Sequence, residues 1–111
     1  MAEPLAERRC LPCEGGIAAL DRSRAQALLK SLQGWTLDES ATEIAKGYAF
    51  RNYHDTMAFV NAVAWIAHRE DHHPDMEVSW NSCVVRYRTH AVNGLSENDF
   101  ICAAKVDALL T

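Results

Sequence analysis

The sequence has no apolar run approaching the ~20 residues that a bilayer demands. The longest such stretch, residues 57–67, is broken by Asn61 and flanked by His54, Asp55, His68 and Arg69. The N-terminus is polar (Glu3, Glu7, Arg8, Arg9) and lacks the apolar core of a signal peptide. A cytoplasmic location with no membrane partner is therefore expected. A basic surplus is missing too: eleven Lys and Arg face fifteen Asp and Glu, for a net charge of −4. Nucleic-acid surfaces are usually basic stripes, and the pairs Arg8-Arg9 and Arg86/Arg88 are isolated, so nucleic acid is not an expected partner. The P-loop, the dinucleotide fingerprint GxGxxG and the nucleophile elbow GxSxG are also absent. Gly15-Gly16 alone is too little to cradle a phosphate.

What remains is an ordinary globular balance. A chain of 111 residues, 49% hydrophobic and 23% charged, is long enough for one domain with a proper core and too apolar for disorder. Residues 1–16, punctuated by Pro4, Pro12, Gly15 and Gly16, read as an irregular leader, and residues 17–111 as a single domain. Of four cysteines, Cys10 and Cys13 have CxxC spacing, while Cys83 and Cys102 stand alone. A structural zinc site usually takes two close pairs of ligands, and disulfides are rare in a reducing compartment. The leader cysteines are thus read as free thiols.

Hydrophobic periodicity divides the domain. Asp21 or Ser23 caps a helix to about residue 32, with Ala25, Leu28, Leu29 and Leu32 on one face. Gly34 ends it. Residues 35–38 and 43–50 read as strands; Ile44, Tyr48 and Phe50 share one face of the second, with Lys46 the exception. Asn52 caps a long helix with Phe59, Ala62, Val63 and Ile66 as its buried stripe, which must stop before Pro74. Strands 75–80 and 83–89 follow, then a last helix opened by a Ser96/Asp99 capping box. The expected fold is α+β: a single four-stranded antiparallel sheet with three helices on one face, in the order α-β-β-α-β-β-α.

The last two strands allow a register to be proposed. A two-residue loop at Asn81-Ser82 sets Trp80 opposite Cys83, Val78 opposite Val85 and Met76 opposite Tyr87 on an apolar face. The other face then pairs Asp75 with Arg88 and Glu77 with Arg86. Extended past the strand, this register brings His73 opposite His90, with His72 beside them at the helix corner. Three imidazoles at one sheet end, next to Glu70 and Asp71, suit proton transfer near neutral pH. Zinc is the rival use, but zinc ligands usually come as HxH or HxxxH, and adjacent His72 and His73 would diverge. His54 and His68 are read as structural, and Asp99 as a helix cap only.

The tract Glu70-Asp71-His72-His73-Pro74-Asp75, the stretch to Trp80-Asn81, Thr89-His90, and Gly94-Leu95-Ser96-Glu97-Asn98-Asp99 together resemble the pterin-4a-carbinolamine dehydratases. The resemblance spans about residues 17–110. It implies dehydration of 4a-hydroxytetrahydropterin to quinonoid dihydropterin, with neither metal nor organic cofactor. That reaction recycles the pterin of aromatic amino acid hydroxylases such as phenylalanine hydroxylase. It implies catalytic roles for His72, His73 and His90. Pterin contacts would come from His72, His73 and Pro74 and from Thr89, His90, Ala91 and Val92. The family is typically dimeric or tetrameric, and the two edges of an open sheet also call for covering. Some animal relatives serve as dimerisation cofactors of a transcription factor, so a non-catalytic binding module for a regulatory or hydroxylase partner is the alternative. Two departures from the usual pattern are Met76, where many relatives carry an aromatic, and His68, where an acidic residue is common.

Overall fold

Side-chain caps set where the helices begin. In the computed structural model, which describes residues 3–12 and 18–111, helix α1 (Arg22–Leu29) starts at Asp21, whose carboxylate accepts the Arg24 N–H. Helix α2 (Tyr53–Glu70) starts at Asn52, which accepts the Asp55 N–H. Helix α3 (Glu97–Ala108) opens with the Ser96/Asp99 capping box. Each cap satisfies N–H groups that the first turn leaves without intrahelical partners. Helix α1 ends before residue 32 because the chain tightens, Ser31 and Leu32 donating to Leu28 and Leu29. Helix α2 ends where Asp71 adopts a left-handed conformation, φ 52°, three residues ahead of Pro74.

Between the helices lie β1 (Thr36–Leu37), β2 (Ile44–Ala49), β3 (Asp75–Ser79) and β4 (Ser82–Tyr87). They form one antiparallel sheet in the order β1-β2-β4-β3. Ile44 and Tyr48 of β2 and Cys83, Val85 and Tyr87 of β4 face the helices, in one core with Trp35, Phe59, Val63, Leu95, Phe100 and Val106. The α-β-β-α-β-β-α order is as expected. The buried residues of α2 are Thr56, Phe59, Val63 and Ala67, so the stripe sits partly to one side of the expected one.

The β3–β4 register differs from the expected one by two residues. Ser79 lies opposite Ser82, Val78 opposite Cys83, Met76 opposite Val85 and Asp75 opposite Arg86. Trp80 and Asn81 form the turn, and Trp80 does not pair with Cys83. Tertiary hydrogen bonds outweigh the local turn preference: the Asn81 carbonyl accepts Phe50 N–H at 2.8 Å, and the Trp80 carbonyl accepts Thr56 Oγ1 at 3.0 Å. The Ser79 and Ser82 hydroxyls close the ladder, 2.6 Å apart. A slip of two keeps every side chain on its expected face, because the strand period is two. Glu77 now opposes Val84 and reaches Arg86 diagonally at 3.1 Å. At the sheet edge, Val78 and Trp80 remain exposed.

Lys46, the exception on the apolar face of β2, has a partner on α3. Its Nζ lies 2.9 Å from Asp107 Oδ1, which also accepts the Tyr48 hydroxyl at 2.6 Å. Asp107 Oδ2 accepts Trp35 Nε1 at 2.9 Å. This carboxylate therefore ties the end of α3 to β2 and to the residue before β1. Replacing Asp107 by Ala removes three hydrogen bonds, leaving Lys46 only the Gln33 carbonyl among the described residues, and is expected to cost about 2 kcal/mol in urea denaturation. Tyr48→Phe, which removes one bond only, is expected to cost about 1 kcal/mol in the same assay.

Candidate active site

The C-terminus of α2, the exit of β4 and the start of α3 meet at one end of the sheet. The left-handed Asp71 turns the chain off α2, and His72 N–H closes back on the Ala67 carbonyl at 3.2 Å. From that corner His72 Nε2 reaches Asp99 Oδ1 at 2.6 Å. The Asp99 side chain has no solvent exposure, against 11% for His72. Its second oxygen accepts Thr89 Oγ1 at 2.8 Å and the Ser96 N–H at 3.0 Å. A buried carboxylate with three donors is a satisfied one. The His72 ring also stacks parallel to Tyr87, with centroids 5.8 Å apart and planes at 6°. The carboxylate assigns the hydrogen of the neutral ring to Nε2, which leaves Nδ1 as its acceptor.

After β4, residues 89–94 make a closed bend. Thr89 N–H donates to Gly94 O at 2.7 Å, and Gly94 N–H returns to Thr89 O at 3.3 Å. His90–Val92 form a 3-10 turn inside it, and Asn93 is left-handed. Gly94 is required by close approach: a Cβ there would lie 2.9 Å from the Cβ of Ala19. The neighbouring Leu20 N–H bonds Leu95 O at 2.9 Å, which docks the segment before α1 on this bend.

The result is a cleft of about 470 Å³, lined by His72, His73, Thr89, His90 and Ala91 among the expected residues. That volume is within the range of small-molecule sites. Glu70, Asp71, Arg88 and Asn98 also line it. Pro74 and Val92 adjoin the lining residues in sequence but do not line the cleft themselves. His73 and His90 are not cross-strand partners, since the register that suggested this is two residues off. The three histidines share the cleft because the α2 corner and the 89–94 bend face one another. His54 and His68 lie elsewhere, exposed on α2, with His68 against Trp65 at 5.6 Å.

Two contributions went unforeseen in the sequence. Asp99 both caps α3 through Oδ2 and holds His72 through Oδ1; the capping box alone accounted for it and hid the second role. The other is the leader, whose Cys10, Leu11 and Pro12 form a wall of the cleft. Cys13, the other half of the CxxC, lies outside the described residues. Residues 3–12 run as a strap along α3. Arg8 pairs with Glu97 at 2.7 Å, and Lys105 donates to the Ala6 carbonyl at 2.9 Å. Asn98 grips Leu11 twice, accepting its N–H at 3.0 Å and donating to its carbonyl at 2.6 Å. Glu70, its side chain only 4% exposed, accepts the Cys10 N–H at 2.8 Å and pairs with Arg9.

The fold is thus an open antiparallel α+β sandwich, with a cleft at one end of its sheet lined by three histidines beside a buried carboxylate. The comparisons give the family. Residues 18–109 match the pterin 4 alpha carbinolamine dehydratase family, and the chain belongs to it. A protein of Nitrosomonas eutropha named for that dehydratase is 61% identical over 107 residues, covering 96% of this chain and 93% of its own. One from Dechloromonas aromatica, named likewise, is 58% identical over 106 residues, covering 96% and 93%. The crystal structure of a transcriptional coactivator/pterin dehydratase from Brucella melitensis matches with a TM-score of 0.80 at 28% identity, over 84% of this chain and 99% of that one. A pterin dehydratase-like protein identified as a RuBisCO assembly factor of the alpha-carboxysome shares the fold, with a TM-score of 0.61 at 24% identity over 69% and 89%.

Glu70 gives the strap a pH dependence. Burial alone would push its carboxyl up; the hydrogen bonds from Cys10 N–H and Arg9, with the charges of Lys105 and Arg9, outweigh this and hold it below the ordinary glutamate range. A lowered folded-state value stabilises the fold above the unfolded value, and that contribution is lost as pH falls through the folded one. Glu70→Gln is expected to be less stable by about 1 kcal/mol at pH 7 in urea titrations. The gap between the two proteins should narrow as the pH falls below the ordinary glutamate range.

Proposed function

We propose that the cleft binds a 4a-hydroxytetrahydropterin and removes its 4a-hydroxyl as water, yielding the quinonoid dihydropterin. The observation that carries this reading is the convergence of His72, His73 and His90 on one cleft in a chain of this family. Dehydration breaks the C4a–O bond, delivers a proton to the departing oxygen, removes the proton on N5 and forms the N5=C4a double bond. One imidazole must therefore give a proton while another takes one.

The geometry supports a division of labour. His72 is held by Asp99 and stacked on Tyr87, so its Nδ1 is a positioned acceptor for the N5 proton. Asp99 neighbours the positive charge that the ring then acquires, as the carboxylate does in a catalytic triad. His73 and His90 are exposed rims of the cleft, so either ring in its protonated form can serve the leaving hydroxyl and reload from water. The wall formed by Leu11 and Pro12 offers apolar surface to the bicyclic ring. The product, once an external reductant has returned two electrons to it, would again serve an aromatic amino acid hydroxylase such as phenylalanine hydroxylase. The open β3 edge, with Val78 and Trp80 exposed, supports a homo-oligomer. Light scattering at micromolar concentration is expected to give a dimer or tetramer mass, and a monomer mass would remove this part of the reading.

Turnover of chemically generated carbinolamine tests the reaction itself. His72→Ala and His90→Ala are each expected to lower kcat by about 10²–10⁴-fold, down to the uncatalysed background. Asp99→Asn is expected to lower kcat as well, because it loosens the ring that it orients. His54→Ala and His68→Ala, away from the cleft, should stay within a few-fold of the parent. Parental turnover by the His72→Ala/His90→Ala double variant would sink the acid–base reading. It would favour instead a binding module, the coactivator half of the Brucella protein's double name.

A further inference from the structure

Two thiols that the dehydration does not use are in contact. Cys10 Sγ and Cys102 Sγ lie 3.4 Å apart although 92 positions separate them. Cys10 is half-buried on the strap, and Cys102 is fully buried on α3. Cys102 follows Asn98 by four residues and Asp99 by three, so it shares the helix face that grips Leu11 and His72. The Cys10 thiol also lies 3.7 Å from the Asn98 carbonyl, to which it donates. With the bonds from Cys10 N–H to Glu70 and between Leu11 and Asn98, the strap is fastened on both sides of this sulfur.

We propose that Cys10 and Cys102 form a reversible dithiol–disulfide pair, whose oxidation by a low-molecular-weight disulfide bonds the strap, and with it one wall of the cleft, to α3. The sulfurs must close from 3.4 Å to about 2.05 Å, a movement left to the half-buried strap. The Cys10 thiolate attacks the disulfide RSSR, forming a mixed disulfide and releasing one RS⁻. The Cys102 sulfur then attacks the Cys10 sulfur, its proton leaves with the second thiol RSH, and the internal bond forms. Two protein thiols are oxidised and one external disulfide is reduced to two thiols. The order follows from access. The hydrogen bond to Cys10 and burial push the Cys102 thiol up, and the charges of Glu70 and Asp99 act the same way, so the first reaction falls on Cys10. The pair leaves His72, His73 and His90 untouched, and the proposal does not rest on the dehydratase reading.

Reduced full-length protein incubated with glutathione disulfide, then mapped by mass spectrometry after thiol blocking, tests this. The expected product is a Cys10–Cys102 linked peptide, with free thiols per chain falling from four to two and returning on treatment with dithiothreitol. Cys13→Ser should form the same bond. Cys102→Ser should instead retain glutathione on Cys10. Because the bond closes a long loop, the oxidised parent is expected to melt about 5 °C or more above the reduced form. A Cys10–Cys13 bond as the sole internal disulfide, a persistent glutathione adduct on Cys10 of the parent, or no loss of thiols would each overturn the proposal.

Discussion

The Asp99 carboxylate is the joint on which the candidate site depends. One oxygen holds His72 and the other accepts Thr89 and the Ser96 amide. Three segments that are distant in sequence are thereby fixed to one another: the corner after α2, the exit of β4 and the first turn of α3. The side chain is fully buried, and a buried charge is tolerable only when its oxygens are matched by donors. Movement of any of the three segments would leave part of it unmatched. The same desolvation that makes the joint costly makes its geometry strict, and a strict geometry is what an oriented imidazole requires.

The strap extends this arrangement to residues before the matched family region, which begins at residue 18. It is held by residues one or two positions from the site itself: Asn98 beside Asp99, and Glu70 two before His72. Its fastening is polar and specific, with Leu11 bonded at both its N–H and its carbonyl. Leu5 and Cys10 pack against the core, while Leu11 and Pro12 stay exposed along the cleft.

Much of this was legible in the sequence, and the parts that were not share a cause. Asn52, Asp21 and the Ser96/Asp99 box mark helix starts by local chemistry, and they lie where that chemistry put them. Strand faces were legible because period-two alternation survives a slip of two residues. The register itself was not, since Phe50 and Thr56 decide the turn through bonds to Asn81 and Trp80, and no local pattern encodes those. Lys46 looked like an error on an apolar face because its partner, Asp107, is 61 residues away. The histidine cleft was reached from the sequence by a pairing that the structure does not contain; the HHP corner and the TH bend converge through their turns and not through the ladder. The strap was invisible for the same reason as Asp107, being long-range polar contact with no periodicity to announce it.

Besides Glu97, which pairs with Arg8 of the strap, helix α3 carries Asp99 and Asp107, one near each of its ends. Asp99 anchors the site, while Asp107 takes Trp35, Lys46 and Tyr48 and anchors β2. Eight residues carry the helix two turns and about 80° further, so Asp99 and Asp107 leave adjoining faces of α3 and fasten both ends of the helix at the sheet. Between them Phe100, Ala103 and Val106 are buried against it. A helix pinned polar–apolar–polar in this way has little freedom to slide or roll. The position of Asp99, and through it the ring of His72, is set by the packing of the whole domain as well as by the bonds around the cleft. His73 and His90 have no such support among the described residues and stay exposed, which leaves the cleft with one fixed imidazole and two on its rim.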